Sequence, residues 1–232
     1  MSVGPGLRER KKAQTRQLIA DTARRLFSER GFEQVSVAEI ARAADVSSPT
    51  VFNYFPTKED LVYSGLETFE EDLLQAIRER AAGETVLAAF GRFVLRPRGF
   101  LAAENKDAAS QLLAVSRMIA TSPALLARER QILDHYTNAL ARLIAEEGGA
   151  TGDDPDPYVA ASALIAVHRA LINYVRHRIL TGDEDLSRLA NDTLAYGRRA
   201  LALLEDGLGR YAPRRRAVAQ PPAPTADRVP AA

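Results

Sequence analysis

Cysteine is absent from the 232 residues. Neither a disulfide framework nor a thiolate metal site can be built, and the chain suits a reducing compartment, which we expect to be the cytoplasm. Histidine occurs only three times, as His135, His168 and His177. The last two are separated by nine residues, unlike the three or four that set paired ligands on one helix. No Gly-rich phosphate loop, HExxH or nucleophile elbow is present. We therefore expect no metal, no cofactor and no enzyme. No run of 18 apolar residues exists, so no membrane partner is expected. The N-terminus has no apolar stretch behind its charges and is not expected to be a secretory signal. An excess of one charge is missing too: 31 basic residues oppose 30 acidic ones. That balance excludes a uniformly cationic nucleic-acid coat but leaves room for a local basic face. Lysine is scarce, with 27 of the basic residues Arg and only 4 Lys, and Ala occurs 40 times. This bias reads as GC-rich coding, not as chemistry.

What is present is helix. Apolar residues make up 46% of the chain, enough for a sizeable core. Val, Ile and Thr never collect into alternating runs, so no strand is expected. The spacing predicts nine helices, at about 8–30, 37–44, 48–55, 58–81, 84–95, 105–121, 123–147, 157–181 and 185–210. Gly and Pro mark the breaks. The first three make a compact head, the fourth a continuous connector, and the rest a larger body. We expect the division at 1–57, 58–211 and 212–232. The last segment holds five Pro and the cluster Arg214-Arg215-Arg216, and reads as a disordered tail.

The head carries the sharpest signals. Ile19, Thr22, Ala23, Leu26 and Phe27 form a stripe at helical spacing, and Gly31 stands where a positive-φ cap is wanted. Ser36-Val37-Ala38-Glu39 is a capping box, in which hydroxyl and carboxylate each satisfy an orphan amide. Asp45-Val46 makes a tight turn. Ser47 or Ser48 opens the next helix, with Pro49 in the first turn, where a missing N–H costs nothing. Pro56 stops that helix near Phe55. Thr57 caps the next. Two short helices around a brief turn, with Ala41 and Ala44 at their crossing and Ile40, Val46 and Val51 as anchors, are a helix-turn-helix. Its second helix then turns Ser47, Ser48, Pro49, Thr50, Phe52, Asn53 and Tyr54 outward without a carboxylate. Hydroxyls, an amide and an aromatic edge serve phosphate, base-edge and thymine-methyl contacts. A short polar helix facing water would show the same pattern.

Charge favours the DNA-binding reading, although an ordinary solvated run of charges would show the same excess. Residues 8–30 hold eight basic and three acidic side chains, a net of +5. Arg8, Arg10, Lys11, Lys12 and Arg16 crowd the helix start, where positive charge opposes the dipole and does nothing for the helix. A mobile basic arm gripping DNA would explain them. Lys58 lies in the first turn of the fourth helix, where amides and dipole favour phosphate.

Residues 15–61 run from Thr15-Arg16-Gln17-Leu18-Ile19 through Gly31-Phe32, Ser36-Val37-Ala38-Glu39-Ile40-Ala41, Val46-Ser47 and Pro49-Thr50-Val51-Phe52-Asn53-Tyr54-Phe55 to Lys58-Glu59-Asp60-Leu61. This string resembles the DNA-binding head of TetR-family transcriptional regulators and covers about a fifth of the chain. The resemblance implies an all-α, nine-helix architecture and a homodimer in which each head reads half of a palindromic operator in double-stranded DNA. It also implies a small-molecule effector in each body and, most often, repression. Ser36 and Lys58 match positions that hold phosphate. Ser47, Ser48, Thr50 and Tyr54 match the recognition face. Phe52 departs from the family's usual Tyr, Tyr54 from a common His, and Pro49 from a frequent Gly.

The body is less explicit. Ala160, Ala163, Val167, Ala170 and Tyr174 form one stripe, and Leu186, Leu189, Thr193, Gly197, Ala200, Leu201, Leu204 and Leu208 another of nearly heptad spacing. Two such pairs could build a four-helix dimer interface, or both stripes could face their own core. The resemblance favours the interface. Leu112, Val115, Ile119, Leu133, Tyr136, Leu140, Leu164, Leu171 and Ile172 make the body apolar. Polar residues near these stripes, Asn105, Arg117, His135, His168, Asn173 and Arg176, are the candidate ligand contacts, and such a cavity would suit a hydrophobic or acyl-type molecule. A helical adaptor without an effector is the alternative, but it leaves the basic arm unexplained.

Overall fold

The computed structural model describes residues 6–64, 67–96, 101, 106–183 and 185–205. Asn105, Leu208 and the tail at 212–232 lie outside them. The described residues hold ten helices and no strand: α1 Leu7–Arg30, α2 Val37–Ala43, α3 Ser48–Tyr54, α4 Lys58–Val62, α5 Glu67–Arg78, α6 Val86–Val94, α7 Lys106–Thr121, α8 Pro123–Gly148, α9 Asp156–Leu180 and α10 Leu186–Glu205.

The all-α expectation stands, but the count exceeds nine because the connector is not continuous. It is two helices, α4 and α5. α4 ends at a C-cap on Tyr63. The Tyr63 ring is buried and its hydroxyl donates to the Leu125 carbonyl at 2.8 Å. The residues that follow in sequence, Ser64-Gly65, have low helix propensity. This long-range anchor at the cap ends the helix where periodicity alone would continue it.

The head assembles as its local signals dictate. α1 buries Ile19, Ala20, Ala23 and Phe27. It stops at Gly31, whose φ of 82° few side chains tolerate. Phe32 folds back on Phe27 with ring centroids 5.2 Å apart. The capping box of α2 is complete: the Ser36 N–H and hydroxyl both donate to Glu39 Oε2 at 2.8 Å, and Ser36 Oγ accepts the Glu39 N–H. Asp45 takes φ 54° in the turn, a region that Asp tolerates better than most residues. The head core of Ile19, Phe27, Ile40, Val51 and Phe55 does not end at the head; it runs through Leu61 and Tyr63 into Ile119 of α7 and Leu125 of α8.

In the body, α8 and α9 pack along their length, with α7 and α10 against α9. The core joins Leu73 and Ile77 of α5, Phe90 and Phe93 of α6, Leu133 and Leu140 of α8, and Leu164 and Ile165 of α9. Glycines allow α10 to approach α6: a Cβ on Gly197 would lie 2.4 Å from Leu95 Cδ2, and one on Gly91 2.9 Å from Leu201 Cδ1. The heptad-like stripe therefore corrects one expectation. Leu189, Thr193 and Gly197 are buried within the chain's own fold, and Ala200, Leu201 and Leu204 pack on the body core. Facing outward instead are Tyr158, Val159, Leu180, Tyr196 and Leu203. α9 is long and apolar enough, by length and composition, to cross a membrane, which the run-of-18 criterion did not register. Here one face of it packs on α8 and α10, and the rest is exposed or half-buried.

Candidate nucleic-acid interface

α3 is seven residues long, and its Ser47 cap fixes its direction. Ser47 Oγ accepts the Thr50 N–H at 3.1 Å and shares a hydrogen bond with Thr50 Oγ1 at 2.7 Å. Burying Val51 and Phe55 against the head core turns the opposite face to solvent. Ser47, Pro49, Phe52 and Asn53 are exposed, with Phe52 at 47%. Ser48, Thr50 and Tyr54 are half-buried, and Tyr54 packs partly on the head core. No acidic residue lies on this helix. Beside its N-terminus an open groove of about 450 Å³ is bounded by Ala38, Ala41, Arg42, Asp45, Val46 and Ser48, among others. Arg42, exposed on α2 at this groove, was missed in the sequence; its signal is a cation directly before the turn.

The basic residues divide into structural and solvent-facing sets. Arg24 pairs with Asp21 at 2.7 Å, Arg25 with Glu29 at 3.2 Å and Arg30 with Glu39 at 2.9 Å. Arg16 stacks over the Phe55 ring at 4.1 Å. Its burial lowers its pKa, against the opposing field of Asp60. Lys58 Nζ sits 4.2 Å above the Phe32 ring. Arg8, Lys11 and Lys12 are exposed and make no ion pair among the described residues. Arg10 is exposed beside them. The mobile arm needs correcting, because α1 begins at Leu7 and Arg8 to Lys12 are its first turns. The positive charge is thus carried on helix and not on an extended arm. Ser36 is already committed, its hydroxyl donating to Glu39, whose carboxyl is held down at about 2 first by the Ser36 N–H, then by the Ser36 hydroxyl and Arg30.

Of the six candidate ligand contacts, Asn105 lies outside the described residues, and the structure does not bring the other five together. Arg117 and Asn173 are exposed. His135 is exposed too, paired with Glu70 at 3.0 Å. His168 stacks on Phe69 with centroids 4.5 Å apart. Arg176 is paired with Glu129 through two hydrogen bonds, and its Nε is buried with no acceptor among the described residues. Of these candidates, His135 lines a cleft of about 520 Å³ that opens between α4, α5 and α8, where Tyr63, Ile132 and Tyr136 meet Asp60 and Arg128.

Beside this cleft, α8 grips the head along one face. Ser122 Oγ donates to Glu33 at 2.7 Å, the Leu125 carbonyl accepts from Tyr63, and Arg128 Nε donates to Asp60 Oδ1 at 2.7 Å. Positions 122, 125 and 128 recur every three residues, which places them in succession along one side of a helix.

The family model for bacterial regulatory proteins of the tetR family matches residues 19–63. The chain is 34% identical over 191 residues to the HTH-type transcriptional regulator TcmR of Streptomyces glaucescens, covering 81% of this chain and 83% of that one. It is 27% identical to the putative mycofactocin biosynthesis transcriptional regulator MftR of Mycobacterium tuberculosis, over 68% of this chain and 78% of that one. Among solved structures, NalD, the secondary repressor of the MexAB-OprM multidrug efflux pump of Pseudomonas aeruginosa, shares the fold. It has a TM-score of 0.52 and 21% identity, over 81% of this chain and 97% of that one.

Proposed function

Because this chain belongs to the TetR family of transcriptional regulators, we propose that it is a cytoplasmic repressor that grips a palindromic operator as a homodimer and releases it on binding a small hydrophobic or acyl-type molecule. One observation carries the DNA half of this reading. α3 offers Ser47, Pro49, Phe52 and Asn53 to solvent with no carboxylate among them, and Arg8, Lys11 and Lys12 stand exposed along the first turns of α1. Amide and hydroxyl groups on such a helix read base edges in the major groove, and the cations hold the backbone. Phe52 lacks a hydroxyl; its ring suits a thymine methyl.

Two further features support the rest. Tyr158, Val159, Leu180, Tyr196 and Leu203 are large apolar side chains exposed on the last two helices, a surface that a second copy would cover. The cleft between α4, α5 and α8 is within the size range of small-molecule sites and lies at the seam of head and body. An occupant there would press directly on the joint. Binding accounts for the whole of this activity; no catalytic step is needed.

Selection of bound sequences from random duplexes tests the reading. An inverted repeat among the winners is expected, with half-sites about 34 Å apart or a multiple of that, as the two-fold symmetry of a dimer requires. Enrichment of unrelated sequences, or none, would overturn it. A dimer that holds its operator equally well with every hydrophobic metabolite offered would retain the DNA half and lose the effector.

A further inference from the structure

We propose that Arg128 is the positioning residue that sets the separation of the two reading heads, and so selects operator spacing without touching DNA. This rests on the dimeric DNA-binding reading above.

The argument begins at α3. Only Phe55, Pro56 and Thr57 separate its last residue from Lys58, the first of α4. Phe55 is fully buried and Pro56 has a fixed φ, so this link transmits motion instead of absorbing it. Three residues further on is Asp60, 8% exposed, with both oxygens engaged. Oδ2 accepts the Thr57 N–H at 2.9 Å and the Thr57 hydroxyl at 2.8 Å; Oδ1 accepts Arg128 Nε at 2.7 Å. The guanidinium is held from the other side as well, since Arg128 Nη1 donates to Gln131 at 3.0 Å. A planar group anchored at two edges fixes direction as well as distance.

The next residue along α8, about 100° further round the helix, reaches a different partner. Glu129 accepts two hydrogen bonds from Arg176 of α9, and both side chains are mostly buried. Arg128 and Glu129 thus tie α3, through Asp60, to α9, which carries part of the outward apolar surface. The connector cannot do this alone, because α4 ends at Tyr63. A partly buried ion pair is screened little by salt and keeps its geometry where surface pairs lose theirs.

The readout is spacing preference, which loss of general stability would not change. One added base pair moves the half-sites apart by about 3.4 Å and rotates them by about 35°. Winning duplexes from the selection are rebuilt with the half-sites moved one and two base pairs closer or farther. Their affinities are then measured for full-length wild type, Arg128→Gln, Arg128→Lys and Tyr63→Phe. Wild type is expected to lose at least tenfold in affinity per base pair of misplacement. Arg128→Gln should lose less than threefold, while binding the parent duplex a few-fold more weakly. Arg128→Lys, which keeps a cation but loses the planar two-edged anchor, should give a preference intermediate between wild type and Arg128→Gln. Tyr63→Phe removes only the hydroxyl that Leu125 accepts, and should broaden the preference even if Arg128→Gln proves unstable. If a folded Arg128→Gln remains as selective as wild type, or if Tyr63→Phe does so where Arg128→Gln proves unstable, the positioning role is wrong and the regulator reading stands. If wild type binds no duplex, both fall together.

Discussion

The head and the body are both all-helical and both close over apolar cores, yet they are specified differently. In the head, α2, α3 and α4 are five to seven residues long, and each begins at a capping side chain: Ser36, Ser47 and Thr57. With so few turns, the cap and the buried anchors fix each helix axis, and the outward face follows. In the body, α8, α9 and α10 run 20 to 26 residues. Their orientation is chosen by partners far away in sequence. Short capped helices report their outward faces locally; long helices do not.

The largest effect should come from the cores. Phe55→Ala and Phe90→Ala each remove a fully buried ring, and each should cost about 3–5 kcal/mol in chemical unfolding. The two regions then part: Phe55→Ala should abolish duplex binding at temperatures where the body remains helical by circular dichroism, whereas Phe90→Ala should lose the body itself. Equal loss of body structure in both would show that the shared core through Ile119 and Leu125 merges head and body into one folding unit.

Next is Gly197→Ala. Its new Cβ would meet Leu95 Cδ2 at 2.4 Å and Leu171 Cδ2 at 3.2 Å. Leu95 is only half-buried and can shift in part. We expect a loss of about 1–2 kcal/mol from overpacking, read from thermal denaturation, with duplex affinity unchanged. Had Gly197 lain in a dimer seam, the same change would weaken dimerisation instead.

Ser36→Ala should cost about 1 kcal/mol by removing the α2 cap. Smallest and most specific is the acid response of Glu39. Its carboxyl is held at about 2 against an ordinary 4.5, chiefly by the Ser36 N–H. A depressed carboxyl stabilises the fold fully above its unfolded pKa and loses that contribution as pH falls through the folded value. The deficit of Glu39→Gln relative to wild type should therefore be complete above about pH 4.5 and shrink towards pH 2. A deficit that stays constant across this range would contradict the capping geometry.

Legibility followed the same division. Gly31, the Ser36–Glu39 box, the Asp45 turn, Pro49 and Pro56 each act within a few residues, so the head's helices could be placed from sequence. Arg117 and Asn173 sat near apolar stripes, but a stripe leaves its flanks undecided, and both face solvent. Arg176 meets Glu129 across 47 residues and Arg128 meets Asp60 across 68, separations no spacing rule reaches. Gly197 read as part of a seam because a small residue is equally at home in an interface and beneath a neighbouring helix. The break after α4 escaped because a tertiary hydrogen bond, Tyr63 to Leu125, helps fix it.

The central claim is that α3 reads duplex DNA while the first turns of α1 hold the backbone. Affinity for the selected duplex, measured against salt concentration for wild type, Asn53→Ala and the triple variant Arg8→Ala, Lys11→Ala, Lys12→Ala, tests it most directly. The account predicts that Asn53→Ala lowers affinity about tenfold or more with the salt slope unchanged, and that the triple variant flattens the slope. An Asn53→Ala protein that binds the selected duplex as tightly as wild type, or a slope indifferent to the three cations, would contradict it.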